Sequence, residues 1–229
     1  MTAGSRPKTA AALTTAGLML CAALLVLTSD PRAQTEPPRS ERIVAGDFLV
    51  ATPDLTDPNF YHSVVFIAGH DDDGTIGVII NRETRFNLGE VLEENGTLRG
   101  SADKVYWGGP VRQHSLVFLF SAADKPDDAM HVMDDLYLSG NLEVLERLVG
   151  AERRGGELRI YAGLASWAPG QLQAELEHGA WNVLPADRTL IFEDDHSKTW
   201  MDLMRTASGH WVRHKPDERL PVPLRLHPG

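Results

Sequence analysis

Residues 63–81 read SVVFIAGHDDDGTIGVIIN. Residues 63–68 and 75–81 are rich in β-branched and apolar side chains, and each run is too short for a helix of ordinary length. They are separated by His70-Asp71-Asp72-Asp73-Gly74, which closes on Asp-Gly, a turn signal. The stretch predicts a β-hairpin with a loop longer than two residues, which leaves the turn type open.

Working toward the N-terminus, residues 48–51 (FLVA) form an apolar run stopped by Thr52-Pro53, a short strand, and Asp57-Pro58 marks a turn. Working toward the C-terminus, Leu88, Val91 and Leu92 fall at helical spacing and predict a short helix over 86–94. Residues 105–107 and 115–120 read as strands on either side of Gly108-Gly109-Pro110, and 130–133 as an edge strand. Ser139 is placed to cap a helix with Leu142, Leu145, Leu148 and Val149 on one face. Residues 158–163 and 190–192 read as strands. Pro169 and Gly170 open a helix carrying Leu172 and Leu176, and a last helix carries Trp200, Leu203 and Met204. Strands and helices interspersed in this way predict a mixed α+β fold, an α/β arrangement of helices packed on one mixed sheet, in a single domain over 43–209.

The 229 residues carry 22 Lys plus Arg against 32 Asp plus Glu, a net charge of −10, with 42% hydrophobic residues. Disorder over most of the chain is excluded by that composition, and one cysteine excludes a disulfide framework or a cysteine-based zinc cluster. Residues 1–33 have the layout of a secretory signal: Arg6 and Lys8, then an uncharged Ala- and Leu-rich core over 10–27, then a polar exit. The core is long enough to serve instead as an uncleaved anchor, and Pro31 is poorly placed for cleavage after Ala33. A misassigned start codon is the third possibility. The expected location is periplasmic or secreted, with inner-membrane anchoring through 10–27 as the alternative. Residues 34–42 read as a linker and 210–229, Pro- and Arg-rich, as a loose tail. Removing 1–33 leaves 19 basic and 31 acidic residues, a net charge of −12, which argues against sequence-independent binding to nucleic acid.

Gly108 and Gly109 before Pro110 have two readings: an anion-binding nest of backbone N–H groups, or close packing of a sharply turning strand. No Lys-Ser/Thr phosphate signature follows, which favours packing. Trp167-Ala168-Pro169-Gly170-Gln171-Leu172 places a Gln in the first turn of a helix. There Trp167 would wall a ligand pocket and Gln171 contact the ligand, or else Gln171 caps the backbone and Trp167 fills the core; the second is preferred. His70 and the three aspartates do not follow EF-hand spacing and read as a solvated acidic turn. There is no G-x-S-x-G elbow, HExxH, Walker A or GxGxxG motif, and no cysteine beyond Cys21. No catalytic residue, metal site or cofactor is expected on these grounds.

Taken together, residues 46–82, the Trp107-Gly108-Gly109-Pro110-Val111 segment, residues 163–172 (GLASWAPGQL), Glu175-Leu176, Trp181, Phe192 and Trp200 resemble the YqgE/AlgH family in order and spacing over about 44–206. Gln173 stands where that family usually has a glutamate, and Leu164-Ala165-Ser166 depart from its usual aromatic-then-small pattern. The resemblance implies a bent, partly barrel-like sheet and a cytoplasmic location for most members. It implies no established activity; one branch carries a transcription-regulator label. The expectation is a non-enzymatic domain that binds a small ligand or a protein near His70, Asn81, Gly108 to Val111, and Trp167 to Gln171. A hydrolase or transferase with an unfamiliar site and a transcriptional regulator are the alternatives.

Overall fold

The computed structural model describes residues 43–150 and 156–212. The hairpin is its centre. β2 (Val64–Asp71) and β3 (Gly74–Ile79) pair antiparallel, with Asp71 opposite Gly74. The strands run further than predicted, so the loop is only Asp72 and Asp73. Asp73 N–H donates to Asp71 Oδ1 at 2.9 Å, closing the tip as an Asx turn.

The remaining elements are β1 (Asp47–Ala51), β4 (Glu83–Asn87), α1 (Leu88–Val91), β5 (Lys104–Trp107), β6 (Val111–Ser121), β7 (Met130–Met133), β8 (Leu136–Ser139), α2 (Leu142–Gly150), β9 (Leu158–Trp167), α3 (Gln171–Glu177), β10 (Trp181–Pro185), α4 (Arg188–Phe192) and α5 (Thr199–Val212). One ten-stranded sheet runs β10-β1-β2-β3-β9-β6-β8-β7, with β5 on β9 and β4 on β5. Among the described residues only the β5–β9 pairing is parallel. β9 organises the bend. Its residues 160–162 take β5 on one edge, its residues 165–167 take β3, and its opposite edge takes β6 from 158 to 164.

The hairpin strands are apolar without alternation because both faces are covered. Phe66, Val78 and Ile80 enter one core cluster beneath α4 and α5, together with Leu136 and Leu138 of β8. Val65, Ile67 and Ile79 enter a second cluster with Leu172, Trp167 and Trp181. A third cluster joins Phe118, Phe120 and Ile160 to Leu88 and to Val144 and Leu145 of α2. The first cluster draws β1 and β8 together although they are distant in strand order, which gives the expected bent, partly barrel-like mixed α+β architecture.

Several predicted elements are corrected. Residues 86–94 form the end of β4 and only four residues of α1, because Asn87 pairs with Lys104 and its N–H is accepted by Glu90 Oε2 at 2.8 Å, where the helix starts. Residues 190–192 are helical: Asp187 Oδ1 accepts the Thr189 N–H at 2.9 Å and starts α4. Ser139 ends β8 and does not cap α2; Asn141 Oδ1 does so, accepting the Glu143 N–H at 2.9 Å. α5 carries helix through Val212, past the domain boundary expected at 209. β8 and β10 were not anticipated. The leader over 1–33, the linker over 34–42 and residues 213–229 lie outside the described residues. Among the described residues no helix is long and apolar enough to cross a membrane.

Candidate functional site

The expected site residues fall into two groups. His70 and Thr75 are cross-strand partners, their Nδ1 and Oγ1 2.7 Å apart, and Thr75 in turn pairs with Trp167. His70, exposed, lines a shallow depression of about 400 Å³ with residues 43–45, Asp71, Asp72 and Gln173. Asn81 lies past the other end of β3, six residues from Thr75 and therefore about 20 Å away along the strand. The structure does not bring His70 and Asn81 together.

Trp167 belongs to an aromatic cluster. Phe60 stacks on it with centroids 5.7 Å apart, and Trp181 meets it edge-on at 5.9 Å. Glu175 on α3 ties this cluster together. Its Oε2 accepts both indole N–H groups, from Trp167 at 2.9 Å and Trp181 at 2.8 Å, and its Oε1 accepts Gln171 Nε2 at 3.0 Å. Gln171 Oε1 accepts the Ala168 N–H at 3.1 Å, and Gly170, at φ +75°, is the N-cap of α3. Gln171 thus satisfies a backbone N–H in the turn before the helix, and Trp167 fills the core.

Gly108 and Gly109 sit where β5 leaves β9. The Gly108 N–H donates to Ala162 O and its carbonyl accepts the Ile79 N–H, both at 2.9 Å. Its N–H is therefore held by the sheet. A Cβ on Gly108 would lie 2.3 Å from Gly163 O, and one on Gly109 2.4 Å from the Leu164 carbonyl carbon. Pro110 O accepts Gln113 Nε2 at 3.2 Å.

Asn81 holds the loop that precedes β2. Its Nδ2 donates to His62 O at 2.9 Å and its Oδ1 accepts the Val64 N–H at 2.8 Å. Arg82 adds a donation to Tyr61 O at 2.9 Å, and its guanidinium lies 4.9 Å over the Trp107 ring. Between these anchors His62 takes φ +54°, uncommon for a residue other than glycine. Its imidazole is sandwiched between Tyr61, centroids 3.8 Å apart, and Trp200 of α5, 3.7 Å apart. Trp200 Nε1 donates to Ala51 O at 2.7 Å, and Tyr61 is 51% exposed. Sequence reading missed Tyr61, His62, Arg82 and Glu175. Asp57-Pro58, a turn signal just before this loop, and Asn81, singled out as a ligand contact, pointed near it.

A third polar group lies under the α4–α5 connection, where His196 meets the Tyr106 ring edge-on at 5.8 Å and Arg159 lies 4.4 Å over the same ring. Burial, and then the Arg159 charge, lower the His196 pKa from 6.5 to about 4 against the opposing pull of Asp195, Glu83 and Asp194. The folded chain therefore binds fewer protons at His196 than the unfolded chain between these values. Stability from this group is fully present above pH 6.5 and is lost as pH falls toward 4. Urea midpoints measured over that range should fall more steeply for the parent chain than for His196→Gln; parallel curves would refute the assignment.

A family model described as AlgH-like matches residues 48–212. The chain belongs to the AlgH-like family. AlgH-like relatives include the UPF0301 protein of Thermobifida fusca, 37% identical over 72% of this chain and 88% of the relative. The UPF0301 protein of Chlorobaculum parvum is 31% identical over 77% of this chain and 95% of the relative. The solution structure of the AlgH protein from Pseudomonas aeruginosa is similar, with a TM-score of 0.62 and 26% identity, covering 81% of this chain and 99% of that one. A crystal structure of the protein DIP2367 from Corynebacterium diphtheriae has a TM-score of 0.59 and 27% identity over 72% of this chain and 87% of that one. Within this AlgH-like chain, Gln173 is exposed and donates to Glu177 Oε1 at 3.3 Å, away from the aromatic cluster. Among the described residues no group of three His, Cys, Asp or Glu side chains is placed to hold a metal ion.

Proposed function

We propose that this AlgH-like protein is a non-enzymatic binding domain that engages a ligand or protein partner through the surface built by Tyr61, His62 and Trp200. The observation that carries this reading is His62 itself, held at φ +54° between two rings. Backbone strain of this kind costs on the order of 1–3 kcal/mol and persists where the surroundings enforce it, as at recognition sites. Here Asn81 and Arg82 enforce it, and the result is an aromatic column whose outer ring is half exposed. Hydrolysis or group transfer has less support, because the polar groups around Trp167 and Gly108 are already engaged in structural hydrogen bonds. Direct regulation of transcription has less support too, since a chain of net charge −10 is poorly suited to phosphate contacts. Export directed by residues 1–33 is part of the proposal, and fractionation of the native cell tests it.

The binding test uses a photoreactive residue in place of Met201, which is 43% exposed and adjacent in sequence to Trp200. In the native cell a discrete adduct is expected, and Tyr61→Ala should abolish it while changing stability by no more than about 0.5 kcal/mol. An adduct indifferent to Tyr61→Ala, or turnover of a hydrolysable substrate abolished by Gln171→Ala, would sink the reading.

A further inference from the structure

The constellation under the α4–α5 connection is separate from the surface proposed above. Arg159 and Tyr161 are two residues apart on β9 and so share a face, and the parallel register sets Tyr106 of β5 beside Tyr161. The two tyrosine rings are 6.1 Å apart. Arg159, only 6% exposed, donates from Nη2 to Glu193 O at 2.7 Å. The Asp194 carboxylate, 96% exposed, approaches the same nitrogen only to 3.9 Å.

Around this buried cation, Tyr106 Oη, Tyr161 Oη and His196 Nε2 are all buried and have no hydrogen-bond partner among the described residues. Both tyrosines are at most 1% exposed. Buried polar atoms in folded proteins are paired with protein, water or a bound group, and a lone one is costly. All three belong to Tyr106, which lies under this guanidinium, or to rings that meet it, and they share a chemistry. Tyrosine hydroxyls donate, and burial raises both tyrosine pKa values, so the protons stay on. Thr199 Oγ1 lies 3.3 Å from His196 Nδ1, and a hydroxyl donating there leaves the imidazole proton on Nε2. The guanidinium has further donors of its own. A set of donors beside a positive charge suits a negatively charged acceptor.

We infer that Arg159, Tyr106, Tyr161 and His196 form a binding site for a small oxyanion, a carboxylate or a phosphate, covered by the Glu193–Lys198 connection. The charged groups that face it are Asp194, Asp195 and the Glu83–Lys104 pair, whose atoms are 2.5 Å apart. Asp194 is the one that competes for the guanidinium.

The test titrates the full chain with inorganic phosphate in one arm and acetate in the other, at constant ionic strength set with chloride. His196 ring signals and thermal midpoint are the readouts. A saturable shift of the His196 signals with a rise in midpoint is expected, and the arm that produces it identifies the phosphate or the carboxylate. Asp194→Asn, a change at an exposed residue, should tighten binding about fivefold, the effect of removing one charge about 4 Å away in high dielectric. Tyr161→Phe should weaken binding and lower the anion-induced rise in midpoint. No saturable response to either anion in both the parent and Asp194→Asn would overturn the inference, with water alone then satisfying these atoms. A response unaffected by Tyr161→Phe would overturn it equally.

Discussion

Glu175→Ala is expected to destabilise the protein by about 3 kcal/mol, since two buried donors lose the acceptor they share. The carboxylate accepts the N–H groups of Trp167 and Trp181, which are 2% and 4% exposed, and also the Gln171 amide. An unpaired buried donor costs about 1–3 kcal/mol, and the aromatic cluster with Phe60 leaves the indoles no room to turn outward. At roughly 2–4 °C per kcal/mol for a chain of this size, the thermal midpoint should fall by about 10 °C. Glu175→Gln keeps one acceptor oxygen and should recover about half of the loss. Tryptophan fluorescence during thermal unfolding measures both. A fall of less than about 1 kcal/mol for Glu175→Ala would show that the indoles do not depend on this carboxylate.

Gly109→Ala should be at least as damaging, at about 4 kcal/mol or with loss of soluble protein. The residue adopts φ +148°, and its Cβ would sit 2.4 Å and 2.5 Å from the Leu164 carbonyl carbon and the Ala165 nitrogen. These are backbone atoms of β9, which is paired on both edges and cannot yield. Gly170→Ala is the control. It also has positive φ, +75°, but a Cβ there has nothing within 4 Å, so only dihedral strain of about 1 kcal/mol applies. Urea unfolding of the two variants separates crowding from strain; equal losses would show that crowding at Gly109 is absorbed.

The hairpin was legible because its signals are local: apolar β-branched runs and an Asp-Gly turn within nineteen residues. So were β1, β5, the first part of β9 and the start of α3, but β9 runs on to Trp167, past the end expected at Gly163, which takes φ +73° within the strand. The α4 helix was misread because its three apolar residues, 190–192, are too few to show a period, and only Asp187 marked a cap. Glu175 was hidden because its two indole partners belong to different strands, β9 and β10, and neither strand pairs with the other. His62 was hidden because a positive φ is imposed from Asn81, nineteen residues away, and has no signature of its own. Asn81 was singled out as a ligand contact; in the structure it is the clamp on this loop.

The strand order has a kinetic consequence. β1 (residues 47–51) lies between β2 and β10, and β10 ends at Pro185; β3, β5 and β6 each pair with β9. Half of the pairings beyond the hairpin, β10 with β1 and β9 with β3, β5 and β6, thus wait for residues made late in synthesis. Folding rates fall as contacts span more of the chain, so assembly should be slow and should follow release from the ribosome. Until then the β2–β3 hairpin can close locally, as can β1–β2 and β7–β8, but without β9 on the outer edge of β3 and β10 on that of β1 its continuous apolar strands would be open to any chaperone that binds extended apolar segments.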